Sequence, residues 1–155
     1  MDRIALTPDW EFVADTVMGG VSRGQIAAAP DGTRLTGQVS LENDGGFVQM
    51  AFDLADGDAH DASRWDGVWL DVTGNDERYD LRLRTTDLTR AWQSYRAAFV
   101  APKEGARVRI AFADLEAHRT EAAFDPGRLR RIGVLAIGRV FAADVTVRGV
   151  GFYRD

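Results

Sequence analysis

Apolar and polar residues alternate along most of the chain, the pattern of strands that bury one face. The clearest stretch runs from residue 35 to residue 41, where Leu35, Val39 and Leu41 alternate with polar neighbours. The other inward-facing sets are Val48, Met50 and Phe52; Val68, Leu70 and Val72; Leu81 and Leu83; Tyr95 and Phe99; and Val108, Ile110 and Phe112. Because helical periodicity is weak throughout, the pattern predicts an all-β fold.

Two stretches depart from simple alternation. Residues 132–137 are apolar on both faces, which predicts a central strand that is covered on both sides. In the last strand the inward parity changes at Gly149, which predicts a β-bulge there. Residues 59–65 and 114–119 are each expected to form a short turn.

The length sets the size of the fold. A chain of 155 residues is long enough to bury one core without staples, and it contains no internal repeat or linker. We therefore expect a single domain over residues 1–155. Several strands separated by short turn signals predict a β-sandwich or a barrel.

Composition narrows the possible partners. The chain has no cysteine, which excludes disulfides and thiolate chemistry, and its net charge of −5 disfavours nucleic acid. No apolar run approaches the roughly 20 residues of a membrane span, so no integral membrane segment is expected. The first residues lack the basic and apolar regions of a signal peptide, which favours a cytoplasmic location.

The sequence contains no recognisable arrangement of catalytic residues. His60 and His118 lie far apart, and the serines lie in no nucleophile motif, so we expect no catalytic residue, cofactor or transition metal. One acidic loop could hold calcium, although a solvated loop is the more ordinary interpretation. Its carboxylates are Asp53, Asp56, Asp58 and Asp61.

Two glycine pairs, each beside an apolar run, mark sharp turns or close backbone approaches. They are Gly19-Gly20 and Gly45-Gly46. Near the first pair, Asp15 could cap nearby backbone N–H groups and Met18 could fill a gap in the core. Alternatively, Asp15 and Met18 could contact a ligand or partner from a loop at the sandwich edge.

The sequence around these glycines resembles that of the complex I intermediate-associated protein 30 family. The resemblance extends over most of the chain and is most specific at Met18-Gly19-Gly20-Val21-Ser22. The family-motif residues are Asp15, Met18, Gly19, Gly20, Ser22, Asn43, Gly45, Gly46 and Phe47.

The resemblance implies an antiparallel jelly-roll β-sandwich of the galactose-binding type. It also implies a non-enzymatic binding or assembly-factor role, with a protein partner such as subunits of respiratory complex I. A carbohydrate-binding module that uses the same fold for a small carbohydrate is the alternative, and a small enzyme is the third class. Fold similarity alone does not transfer function.

Strand parity identifies a candidate binding surface. If the apolar residues of three strands point inward, six other residues point to the opposite face, and they share one surface if the strands are neighbours. These residues are Trp69, Asp71, Arg82, Arg84, Ser94 and Arg96. An exposed tryptophan among arginines could stack a sugar or clamp a carboxylate. A solvated face with cross-strand ion pairs is the alternative.

Overall fold

Strands dominate the computed structural model, which describes residues 2–44 and 46–155 without the side chains of Val17, Met18 and Asp44. The described ranges contain twelve strands joined by loops and short 3₁₀ turns. In chain order the strands are β1 (Asp2–Ala5), β2 (Glu11–Ala14), β3 (Arg23–Ala29), β4 (Gly32–Val39), β5 (Phe47–Asp53), β6 (Gly67–Gly74), β7 (Arg78–Thr85), β8 (Ser94–Val100), β9 (Ala106–Ala111), β10 (Glu116–His118), β11 (Leu129–Ile137) and β12 (Phe141–Arg154).

The strands form two six-stranded sheets, and all strand pairs are antiparallel. The first sheet has the order β3-β4-β12-β6-β9, with β1 paired to the end of β12. The second sheet has the order β10-β8-β7-β11-β5-β2. The predicted all-β antiparallel sandwich is confirmed.

The core lies between the inner faces of the two sheets, and the inward-facing residues of the alternating stretches build it. Leu35, Val48, Leu70 and Leu83 are completely buried. Aromatic rings close the ends of this layer, with Trp10 edge-on to Phe52 at 4.8 Å between ring centroids. Burial of these apolar side chains is the main force that holds the two sheets together.

The predicted irregularities of the long strands are present. The register of β12 against β6 shifts between Val147 and Gly149, which confirms the bulge. β11 lies between β7 and β5, which confirms that it is a central strand. The first and last strands pair with each other, because Asp2 lies opposite Arg154.

The short connecting segments follow the sequence expectations only in part. Ala62 and Trp65 close a turn through a backbone hydrogen bond of 3.0 Å, which confirms the first predicted turn. The expected turn over residues 114–119 is wrong, because Glu116–His118 form β10 and pair with β8. The edge of β8 offers free backbone groups, and these favour an added strand over a turn.

The helical segments of the described ranges are short 3₁₀ turns. Within the described ranges, none of them has the length and apolar character needed to cross a membrane.

Candidate functional site

A cavity of about 830 Å³ lies on the outer face of the second sheet. All six strands of this sheet contribute side chains or backbone to its wall, from Val13 of β2 to His118 of β10. Four loop segments complete it, at Gly46 before β5, at residues 91–93 before β8, at Arg119 after β10 and at Gly138 after β11. Because rigid strands supply most of the lining, the cavity is preformed.

The floor of the cavity is apolar and smooth. Ala51 of β5 and Gly133 and Leu135 of β11 point outward from the core and line it. Leu135 is only 5% exposed, although its side chain faces away from the space between the sheets. The both-sided apolar pattern of residues 132–137 therefore reflects a core on one side and a cavity floor on the other.

Two arginines of β7 form one wall. Arg82 donates to Asp80 through Nε and Nη2, at 3.0 and 2.9 Å, and to the Ser94 hydroxyl through Nη1 at 3.2 Å. Arg84 donates instead to backbone carbonyls, to Gln93 at 3.1 Å and to Arg90 at 2.9 Å. These bonds tie the loop between β7 and β8 to the sheet.

That loop presents the most exposed aromatic ring of the cavity. Trp92 is 55% exposed and lines the cavity. The Arg90 guanidinium lies 5.9 Å from the centroid of the Trp92 ring. The amide oxygen of Gln93 accepts from the backbone N–H groups of Thr89 and Arg90, which fixes the loop conformation. An exposed tryptophan on a braced loop is suited to contact a ligand.

β10 supplies the far end of this wall. His118 lies opposite Ser94 in register, and both line the cavity. Burial, together with the positive charges of Arg96, Arg82 and Arg119, lowers the pKa of His118. Because an ordinary histidine already has a pKa near 6.5, the His118 imidazole is neutral at neutral pH.

The structure divides the six predicted surface residues between two faces. Their outward parity is right, but the assumption that the three strands are neighbours is wrong, because β6 belongs to the first sheet. Three of the six meet in the cavity, namely Arg82, Arg84 and Ser94. Arg96 instead pairs with Glu116 at 2.9 Å near the sheet edge. Trp69 and Asp71 lie on the outer face of the opposite sheet.

Trp69 does not have the exposed surface that the sequence predicted. It is 6% exposed, and its indole N–H donates to the Ile4 carbonyl of β1 at 3.1 Å. The ring covers the backbone at Gly151, with the Arg107 guanidinium 4.9 Å from the ring centroid. Arg107 also makes a bidentate pair with Asp71 at 2.6 and 2.8 Å. These contacts make Trp69 and Asp71 structural residues that hold β1 and β9 to β6.

Asp15 joins the two glycine motifs through a buried carboxylate. Ser22 donates to it through its backbone N–H at 3.0 Å and its hydroxyl at 2.5 Å. The backbone N–H groups of Gly46 and Phe47 donate to Oδ2, the oxygen that also accepts from the Ser22 hydroxyl, at 2.6 and 3.3 Å. Burial raises the pKa of Asp15, but these hydrogen bonds outweigh it, so the pKa lies below its usual value. Asp15 therefore bonds backbone N–H groups, as its structural interpretation predicts, but the donors are Ser22, Gly46 and Phe47 and not the neighbours that an Asx turn would use.

Each described glycine of the two motifs meets a different structural requirement. Gly19 ends a 3₁₀ turn at φ 86°, and Gly46 has φ 146°, whereas Gly20 is not at positive φ. A side chain at Gly20 would place its Cβ 2.6 Å from the Asp15 carboxylate. Asn43 takes the left-handed conformation at φ 57°. The Met18 side chain and Gly45 lie outside the described residues.

Gly46→Ala is expected to lower the free energy of unfolding by about 1–3 kcal/mol, because φ 146° is a conformation that residues with a Cβ rarely adopt. Urea unfolding of both proteins measures the difference. Gly133→Ala is the matched control, since its Cβ would meet only ordinary contacts at 3.4–3.5 Å. Equal stability of the Gly46→Ala variant and the native protein would contradict the assigned backbone conformation.

The acidic loop does not converge on a common point. Asp53 pairs with Arg131 at 2.8 Å, and Asp61 accepts from the Ser63 backbone at 2.9 Å. Within residues 2–44 and 46–155, the described side chains contain no group of three or more histidines and carboxylates placed to hold a metal ion. Asp53 and Asp61 are thus engaged by other groups of the protein.

Several cavity residues were not predicted from the sequence. They are Val13, Gln49, Trp92, Gln93, His118, Arg119, Arg131 and Leu135. Alternation around Val48 and Met50 places Gln49 on the outer face, so a signal existed for that residue. Trp92 lies in a polar loop without periodicity, and only its aromatic character distinguished it.

Comparison with solved structures places the fold. The family 11 carbohydrate-binding module of the cellulosomal cellulase Lic26A-Cel5E of Clostridium thermocellum superposes with a TM-score of 0.74 at 11% identity, over 99% of this chain and 95% of that chain. The family 30 module of the cellulosomal cellulase Cel9D-Cel44B of Clostridium thermocellum gives a TM-score of 0.64 at 13% identity, over 99% and 90%. These neighbours confirm the predicted jelly-roll sandwich. At such identities the likeness concerns the fold alone.

Comparison with sequences bears on the family. No curated protein sequence matches the chain significantly. The family model described as complex I intermediate-associated protein 30 matches residues 4–145. Asp15 and the two glycine motifs that it joins lie inside the matched range. Because the match extends over most of the chain, the chain belongs to the complex I intermediate-associated protein 30 family.

Proposed function

We propose that the chain is a non-enzymatic binding protein that holds an extended segment of a partner protein in the cavity of the second sheet. The family description points to respiratory complex I, so assembly of that complex is the role we assign. The observation that carries the proposal is a preformed cavity of about 830 Å³, bordered by a tryptophan that is 55% exposed. Aromatic anchors at such positions commonly dominate binding energy.

The chemistry of the lining supports binding over catalysis. Ser94 and His118 face each other across two strands, but no hydrogen bond joins their side chains among the described contacts. The Ser94 hydroxyl instead accepts a hydrogen bond from Arg82, and a protonated guanidinium cannot act as a general base. Ser94 and His118 therefore do not form a nucleophile with its base, and the described lining residues provide a rigid platform for binding.

Trp92→Ala is expected to reduce capture of complex I subunits by the tagged protein roughly tenfold or more, because truncation removes the exposed anchor. Affinity purification from the native host, with quantitative mass spectrometry of respiratory subunits, measures the effect. Val100→Ala is the control, since Val100 is an exposed apolar residue outside the cavity lining. Capture that does not depend on Trp92 would place the partner elsewhere. Absence of respiratory subunits from the native sample would refute the assembly role.

Carbohydrate binding is the second candidate. A solved family 11 module, in complex with a β-1,3-1,4-mixed-linked tetrasaccharide, superposes with a TM-score of 0.70 at 12% identity over 99% of this chain and 94% of that chain. The Trp92 ring could stack on a sugar in the same way as other aromatic platforms. Retention of the native protein, but not of the Trp92→Ala variant, on mixed-linked β-glucan would favour this function over the first.

A further inference from the structure

The charge of the cavity is opposite to that of the whole chain. The lining residues that the structure describes include four arginines and one histidine but no aspartate or glutamate. The chain as a whole carries a net charge of −5. The arginines are Arg82, Arg84, Arg119 and Arg131. A concave surface with one sign of charge concentrates ligands of the opposite sign.

Two of the four arginines are already neutralised. Arg82 pairs with Asp80 at 2.9 Å. Arg131 pairs with Glu11 at 2.5 Å and with Asp53 at 2.8 Å. Their carboxylate partners lie outside the lining, so these pairs shape the wall without making it acidic.

The other two arginines carry charge that the described side chains do not balance. Arg84 donates from Nε and Nη2 to two carbonyl oxygens, which bring no negative charge, and its Nη1 makes no hydrogen bond among the described contacts. Burial, together with the nearby charges of Arg130 and Arg131, lowers the pKa of Arg84, although the Asp53 carboxylate acts in the opposite direction. Arg119 is exposed and makes no ion pair with any described side chain. A carboxylate brought beside Arg84 would gain a charge-assisted hydrogen bond.

The charge lies on one side of the cavity only. Arg84 on β7 and Arg119, which follows β10, form the cationic side, and the neutral His118 lies beside them. Val13, Phe47 and Gln49 line the opposite side with the end of β11, and none of these described residues is charged. The floor between the two sides is apolar. An extended peptide points successive side chains to opposite directions, so it can offer acids to one side and apolar residues to the other.

We infer that the cavity recognises an extended acidic polypeptide segment, in which Asp or Glu residues alternate with apolar ones. This inference rests on the proposed function and names the chemistry of the partner segment. A neutral polymer would supply no negative charge to pair with the Arg84 guanidinium. A nucleic acid would meet a chain whose net charge repels it beyond the cavity.

Fluorescence anisotropy with a labelled peptide of alternating Glu and Val, about eight residues long as a typical strand is, tests the inference. We expect the Gln-Val analogue to bind at least about tenfold more weakly, because it cannot form charge-assisted bonds. Arg84→Gln should weaken binding of the Glu-Val peptide about tenfold. Arg119→Gln, at an exposed position where folding is not at risk, should weaken it about two- to fivefold. Arg148→Gln on the other sheet should leave it unchanged.

The outcomes separate this inference from the function on which it rests. Equal affinity for the Glu-Val and Gln-Val peptides, or no binding of either, overturns the inference, even if Trp92-dependent capture of respiratory subunits continues. Binding of an oligogalacturonate in place of the peptide also overturns it, because the acidic ligand is then a sugar. Charge-dependent peptide binding without capture of respiratory subunits upholds the inference and refutes the assembly role.

Discussion

Asp15→Ala is expected to lower the free energy of unfolding by about 3–5 kcal/mol, which is a large effect for one small side chain. The carboxylate is fully buried and accepts hydrogen bonds from Ser22, Gly46 and Phe47. Its removal takes the acceptor from the N–H groups of Ser22, Gly46 and Phe47, and each unsatisfied buried donor costs about 1–3 kcal/mol. The two glycine motifs then lose the group that joins them.

Chemical denaturation of the variant and the native protein measures this loss. Asp9→Ala is the control, because Asp9 is an exposed acid that makes no recorded side-chain hydrogen bond, and its removal should change stability by less than about 0.5 kcal/mol. If both variants unfold at the same denaturant concentration, the Asp15 network contributes nothing and the motif must be explained by its backbone alone.

The pH dependence of the same network has a defined sign. Folding lowers the pKa of Asp15, so the ionised carboxylate stabilises the native state at pH values above its unfolded pKa of about 3.9. This stabilisation is lost as the pH falls through the lower folded pKa. The stability difference between the native protein and Asp15→Asn should therefore be full at neutral pH and shrink below about pH 4. A difference that is constant from neutral to acidic pH would contradict the lowered pKa.

The sequence was sufficient for the architecture because period-two alternation is a direct record of which residues face the core. The inward sets, such as Val68, Leu70 and Val72, are buried between the sheets. The bulge at Gly149 was also predictable, since an inserted residue reverses the parity of everything after it. Turn lengths were harder to predict, and the three residues of β10 were too few to show a period.

Part of the site was predictable for the same reason. Alternation placed Arg82, Arg84 and Ser94 on an outer face, and the structure brings these three together in the cavity. Alternation says nothing about which strands pair, however, because it describes each strand alone. β6 pairs with β12 and β9, which put Trp69 and Asp71 on the opposite side of the sandwich.

Long-range contacts limited the prediction for Asp15. An Asx turn is a local motif, and the sequence around Asp15 and Ser22 gave grounds only for that. The structure adds Gly46 and Phe47, which lie 31 and 32 residues away along the chain. No pattern within either motif encodes this contact. Phe47 links the Asp15 network to the cavity, because its backbone N–H donates to Asp15 and the residue also lines the cavity.

Trp69→Ala is expected to lower the free energy of unfolding by about 3–5 kcal/mol without weakening partner binding. The ring is 6% exposed, and its N–H bond to the Ile4 carbonyl holds β1 to the sheet. Truncation would leave a void over Gly151 and remove the indole bond to the Ile4 carbonyl, and Arg107 would lose the aromatic face that it covers. Thermal or urea unfolding measures the loss.

Trp92→Ala is the matched control for this experiment, because the two tryptophans differ in exposure and lie on opposite sheets. It should change stability by less than about 1 kcal/mol while it reduces capture of the partner, since an exposed ring contributes little to folding. Trp69→Ala should show the reverse pair of effects at temperatures where it stays folded. If Trp69→Ala retained native stability but lost the partner, the outer face of the first sheet would be the working surface, and the assignment to the cavity of the second sheet would be wrong.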